Sequence, residues 1–218
     1  MTIVSIPEWN TVGLLPTINQ ANPISPERSP YNVALLDVIM RFATSPERRQ
    51  VLLGFLDYRA ALHGMGLVNG FQWLDGSFTE QVETLERRPP RDIDVVTFLH
   101  TPDDFAPSDA QLEILDHDTA KASFLVDSYI VELNFLPLEA IVQQSAYWYS
   151  MWSHRRNQAW KGYLQIDLNP AYDADARARL NQLNTPEVQP RTTKIASTCW
   201  LSALSCNGCW LTRRPRHA

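Results

Sequence analysis

GFQWLDGSF (residues 70–78) and PRDIDVVTF (residues 90–98) are the two stretches on which the reading of this chain turns. The first closes an apolar run on Gly76-Ser77. The second opens an apolar run with Asp92 and Asp94, one residue apart. In a strand, residues i and i+2 project to the same face, so these carboxylates stand side by side. Carboxylates that close repel each other in the absence of a cation. A hard divalent ion with oxygen ligands suits the place, Mg²⁺ being the usual choice beside phosphates. A Gly-Ser turn in front of the pair offers backbone N–H groups and a hydroxyl to a triphosphate. Residues 77–86 can form a helix with Ser77 as its cap, which makes Gly76-Ser77 a helix N-terminus and an anion site.

Outward from this centre, the pattern predicts strands at Phe71–Leu74 and Asp92–Phe98. A long third strand is predicted over Ala122–Phe135 and a last one over Lys161–Leu168. Upstream, residues 32–43 read as a short helix capped by Asn32, with Leu35, Leu36, Ile39, Met40 and Phe42 buried. Thr44-Ser45-Pro46-Glu47 starts a second helix that runs to about Leu62 and ends at Gly64 and Gly66. Arg48 and Arg49 read as solvated helix charges. Residues 109–121, 138–160 (possible break near Ser150) and 174–183 are helical in pattern. Pro7, Pro16, Pro23, Pro26 and Pro30 rule out a continuous helix before residue 32, so residues 1–31 form an irregular lead-in. The order of elements predicts an α+β (α/β) domain over residues 32–184, with a small mixed sheet flanked by helices.

The chain has 218 residues, 44% hydrophobic and 20% charged, enough to bury one good core. Its net charge of -5 argues against a non-specific DNA-binder. No apolar run approaches the roughly 20 residues of a bilayer span. The N-terminus MTIVSIPEWN lacks a basic segment followed by an apolar one, so no secretory signal is expected. Three cysteines do not make a disulfide framework, and a cytoplasmic protein with no membrane partner is the expectation.

The strand, Gly-Ser turn, helix and D-x-D strand need a third carboxylate to complete a two-ion site. Asp127 and Glu132 are the candidates. They differ by five positions and so face opposite sides of a strand, and only one can reach the metal. Asp127 is preferred, because its shorter side chain suits a tight site beside Asp92 and Asp94. Arg87, Arg88 and Arg91 lie just before the D-x-D strand and could reach phosphates or form a solvated loop. Tyr147–Lys161 mixes Trp148, Trp152 and Trp160 with His154, Arg155, Arg156 and Lys161, a pattern that serves either base stacking or a core with snorkelling cations. Arg155 and Lys161 are its best phosphate candidates. His63, His100 and His117 have no partner pattern, and Asp75 could cap the turn or touch a nucleotide, capping being preferred.

LDGS, fourteen residues (Phe78–Arg91) and then DID resemble the signature of the DNA polymerase β-type nucleotidyltransferase superfamily. That pattern is an apolar residue with G-S, a helix, two alternating acids on the next strand and a third carboxylate later. IPEWNTVGLLP, FATSPERRQVLLG, GFQWLDGSF, PRDIDVVTF and SHRR…KGYLQI resemble, more narrowly, an uncharacterised group of bacterial nucleotidyltransferase-like proteins, over roughly residues 1–170. The resemblance implies a nucleotidyltransferase sheet and a two-ion Mg²⁺ site on Asp92, Asp94 and Asp127. It implies an NTP, ATP among the options, held by Gly76 and Ser77 with help from Arg88, Arg91 and Lys161. The expected activity is transfer of a nucleoside monophosphate to a hydroxyl of RNA, protein or a small molecule, with a toxin–antitoxin or phage-defence setting suggested by association. The alternative is an inactive member of the fold that binds a nucleotide or a protein partner.

From Thr185 the composition shifts. Nothing acidic follows Glu187, and Cys199, Cys206, Cys209 and His217 make only a weak zinc pattern. Residues 185–218 are expected to be a loosely packed extension.

Overall fold

The computed structural model describes residues 2–184. Its centre is a mixed sheet of five strands, β1 (Tyr31–Asn32), β2 (Gly70–Asp75), β3 (Ile93–Leu99), β4 (Val126–Glu132) and β5 (Leu164–Asp167). They lie in the order β1-β5-β2-β3-β4. β2 runs antiparallel to both neighbours, while β3–β4 and β1–β5 are parallel. Among the described residues, seven helices flank the sheet: α1 (Leu35–Phe42), α2 (Pro46–Gly64), α3 (Val82–Leu85), α4 (Asp109–Leu115), α5 (His117–Phe124), α6 (Leu138–Trp152) and α7 (Asp173–Asn184). This is the α+β architecture that the order of sequence patterns predicts. Among the described residues no helix is long and apolar enough to cross a membrane.

The period-2 alternation of β3 divides the interior. Ile93, Val95 and Leu99 join a core with Leu52, Phe55 and Leu56 of α2 and Leu180 of α7. Val96 and Phe98 face the other way, onto Trp73, Val131, Trp148, Trp152 and Tyr163. Helices α1, α2, α5 and α7 therefore back one face, and α6 covers part of the other. The parallel β3–β4 pair requires a crossover, which α4 and α5 supply. Leu125 ends α5 in a left-handed conformation (φ 58°) and aims the chain into β4.

The lead-in is packed against the domain. Leu14 and Leu15 are buried, the Trp9 indole donates to the Thr79 carbonyl (2.8 Å), and the Gly162 amide donates to the Leu15 carbonyl (2.7 Å).

Several local expectations are corrected. Asn32 is no cap: it pairs with Gln165 in β1, and α1 begins after Ala34. Leu36 and Met40 are exposed, while Val38 takes the buried place. Ser45 caps α2 as expected, accepting from the Arg48 amide (3.2 Å). Arg48 itself is buried. Its guanidinium donates to the carbonyls of Phe78 (2.7 Å) and Glu80 (2.6 Å) and pairs with Glu83. Those carbonyls are thereby diverted from a helical ladder, and Glu80 is extended (φ -96°, ψ 162°). The predicted helix over 77–86 accordingly becomes a 3-10 turn at Ser77–Thr79 and the single turn of α3. The third strand is shorter than its apolar run, because residues 122–124 belong to α5 and the segment after Glu132 turns away. α6 stops at Trp152.

Candidate active site

Sheet register places an aspartate on each of three adjacent strands in one row. Asp75 of β2 lies opposite Asp94 of β3, and Asp94 lies opposite Asp127 of β4. Directly opposed residues share a face of the sheet. Asp92, two residues before Asp94, projects to that same face, continuous with Val96 and Phe98. Burial, followed by the charges of Asp75, Asp127 and Asp92, pushes the Asp94 carboxyl up to about 7. Burial likewise raises Asp75 to about 6, against the opposing pull of Lys161.

Two lysines answer this negative charge from different sides. Lys161 is buried, 3.0 Å from Asp75 Oδ2, and it donates to Glu80 Oε1 (3.1 Å). Burial alone would lower its pKa, but Asp75 and Glu80 hold it above the ordinary value. Its ammonium is taken up by these two carboxylates. Arg155 lies beside it, 3.2 Å from Glu80 Oε2, and also pairs with Glu86. On the other flank, Lys121 of α5 bridges Asp127 Oδ2 (2.7 Å) and Asp92 Oδ2 (3.0 Å). His117 Nδ1 donates to the Ser128 carbonyl (3.1 Å) and stands 3.3 Å from Asp127 Oδ1. That oxygen is buried and accepts no hydrogen bond.

Gly76 is required where it stands. Its φ is +83°, a region that favours glycine. A Cβ there would lie 2.7 Å from Asp94 Oδ1. The Gly-Ser turn therefore packs directly on the D-x-D strand. Gly76 rather than Ser77 precedes the first helical turn, and no side-chain cap forms. A 3-10 turn of three residues supplies no aligned dipole of consequence, so any anion contact here comes from the backbone turn and the Ser77 hydroxyl. Thr79 Oγ1 donates toward Asp75 Oδ1 and the Gly76 carbonyl, both at 3.2 Å. Arg88 is engaged locally, by Glu86 (2.8 Å) and the Pro89 carbonyl (3.2 Å). Arg91 is exposed immediately before Asp92.

Glu132 is exposed and is approached by the Thr101 hydroxyl at 3.3 Å, on the opposite face from Asp127. Trp148 and Trp152 are core residues, while Trp160 is exposed. The structure thus gathers Asp92, Asp94, Asp127 and Gly76 at one place. Sequence reasoning favoured a turn cap for Asp75, which instead joins the carboxylate row, and missed Lys121 and His117. The period-2 spacing of Trp73 and Asp75 could have revealed the first, since it continues a strand to the Asp. The two on α5 carry no local signal. The cysteines and His217 of the zinc pattern lie outside the described residues.

A hard divalent cation fits this donor set in chemistry. The ligands would all be carboxylate oxygens, burial and then their mutual repulsion raise the Asp94 pKa, and Asp127 Oδ1 accepts no hydrogen bond although His117 stands 3.3 Å away. As the side chains stand, no three His, Cys, Asp or Glu groups among the described residues are placed to hold a metal ion. The Lys121 ammonium stands between Asp92 and Asp127 instead. A cavity of about 800 Å³ opens elsewhere, by Gly70, Phe71 and Asp173, and none of the four aspartates lines it.

Residues 7–167 match the model of a Family of unknown function (DUF6932). No curated protein and no solved structure matches the chain.

Proposed function

The chain belongs to this family of unknown function, DUF6932, and from its own residues we propose that it is a nucleotidyltransferase of the DNA polymerase β type. The observation that carries the reading is the register match of Asp94 with Asp127, on the face that Asp92 shares and against which Gly76 packs. Asp92, Asp94 and Asp127 would hold two Mg²⁺ ions, which when bound supply positive charge to a triphosphate and acidify an acceptor hydroxyl.

The chain's own groups then have distinct tasks. The Gly76-Ser77 turn presents N–H and hydroxyl donors to the β and γ phosphates. Arg91, exposed beside Asp92, adds charge at the mouth, with Arg88 available if it leaves Glu86. Lys161 sits behind the row and keeps Asp75 and Glu80 neutralised. Paired with both, it would reach a phosphate only by leaving them. The acceptor hydroxyl oxygen bonds to the α-phosphorus. The bond from that phosphorus to its bridging oxygen breaks, and the electron pair leaves with pyrophosphate. The hydroxyl proton passes to Asp127. The acceptor is an RNA end, a protein hydroxyl or a small molecule.

A second reading is favoured by one observation. Lys121 already neutralises two of the three carboxylates, which suits a fold that binds a nucleotide or a protein partner without chemistry. Incubation with labelled NTPs and Mg²⁺, with and without total RNA, separates the two. Label transfer by the native chain and its loss in the Asp92→Ala/Asp94→Ala variant supports the enzyme. Transfer that is indifferent to those changes, or absent throughout, sinks it.

A further inference from the structure

The contact between α5 and the two strand aspartates goes beyond a surface ion pair. Lys121 reaches Asp127 Oδ2 at 2.7 Å and Asp92 Oδ2 at 3.0 Å, and these carboxylates belong to different chain segments on one sheet face. One ammonium therefore stands where two carboxylates converge, which is where a shared cation gains most. The lysine is not locked there by packing. Its side chain is 44% exposed, and the contacts are made by the end of a flexible four-carbon stem. α5 itself is fixed by the buried Ala120 and by α2, where Gly54 lies against the Phe124 carbonyl.

We propose that Lys121 is an internal counter-ion that a divalent metal ion must displace from Asp92 and Asp127 before the site can load. This rests on the nucleotidyltransferase reading of the same carboxylates. Coulomb repulsion disfavours an ammonium and a divalent ion on the same oxygens, so the two compete. In the metal-free chain the lysine offsets carboxylate repulsion and holds β3, β4 and α5 together. On loading, it swings toward solvent on its exposed stem.

The test is titration of the full chain with Mn²⁺, without nucleotide, followed by calorimetry and by the Mn²⁺ electron paramagnetic resonance signal. Lys121→Met should bind Mn²⁺ about tenfold tighter than the native chain, because no internal cation competes. Lys121→Arg keeps a cation in place and should stay near native. Adding Asp92→Asn to Lys121→Met should abolish the gain, which places the effect at this carboxylate. Equal Mn²⁺ affinity in the native and Lys121→Met chains overturns the counter-ion role while leaving the nucleotidyltransferase reading intact. No Mn²⁺ binding by either chain overturns both. A thermal melt of Lys121→Met within a few degrees of native shows that the comparison is made on folded protein.

Discussion

Asp94 and Asp127 stand directly opposite each other across the parallel β3–β4 pair, although thirty-three residues separate them in the chain. Glu132, five residues further along β4, faces the other way and is approached by Thr101. The two acids of one strand are thus assigned to different faces by the pleat alone.

That assignment separates their expected effects. Asp127→Ala should lower nucleotidyl transfer at least about a hundredfold, the scale of losing a charged group at a reacting centre. Glu132→Ala should leave the rate within about twofold, since it removes an exposed side chain on the far face. Label transfer from NTP, at matched protein stability, is the measurement. A Glu132 variant as impaired as the Asp127 variant contradicts the placement.

Gly76 joins a left-handed backbone to a close approach on Asp94. Gly76→Ala should destabilise the domain by roughly 1–3 kcal/mol from the backbone alone. The Cβ also displaces the Asp94 carboxylate, so transfer should fall further than stability does. Gly64→Ala is the control, because a Cβ there meets nothing within 4 Å. Urea denaturation of both variants reads the difference.

Lys161, Asp75 and Glu80 form a buried charged group. Lys161→Met strands the buried Asp75 carboxylate and leaves Glu80 only Arg155, and it should remove about 3–5 kcal/mol of stability. Adding Asp75→Asn should recover part of this, because one uncompensated charge disappears. Chemical denaturation of the single and double variants tests the coupling. Additive losses would show that the three groups do not act as a unit.

Asp94 gives the domain a pH dependence of defined sign. Its folded pKa of about 7 lies above the ordinary carboxylate value, because burial and then Asp75, Asp127 and Asp92 oppose its ionisation. The folded state therefore binds the proton more tightly than the unfolded chain. Its contribution is complete below about pH 4 and is lost as pH rises through about 7. In chelator, Asp94→Asn should be more stable than the native chain by about 1–3 kcal/mol at pH 8, and the gain should vanish near pH 4. Melting curves across that range decide it. A pH-independent difference would show that the cost of ionising Asp94 is not the cause.

The legibility of the site follows the range of the interactions behind it. Asp92 and Asp94 are side by side because of the two-residue period of a strand, a property of three consecutive residues. Gly76-Ser77 stands out for the same reason, as does the Ser45-Pro46 start of α2. The helix expected over 77–86 fails because Arg48, some thirty residues earlier, captures the carbonyls of Phe78 and Glu80. Arg48 looked like a solvated charge because nothing near it in sequence announces a buried acceptor. Lys161 read as a phosphate ligand because its partners Asp75 and Glu80 lie some eighty residues away. His117 and Lys121 carried no local signal at all, since only the crossover from β3 to β4 brings α5 to the carboxylate row.

The sequence by itself determined four of the five strands, the paired acids at the start of β3 and the placing of Asp127 and Glu132 on opposite faces. All of these follow from local periodicity. The tertiary structure alone decided that Asp75, Asp94 and Asp127 fall into one row, that Lys161 is taken up by Asp75 and Glu80 and that Lys121 caps the row from α5. Those depend on strand register and on where a crossover helix lands, which are set by the joint packing of two cores across the sheet rather than by any single segment.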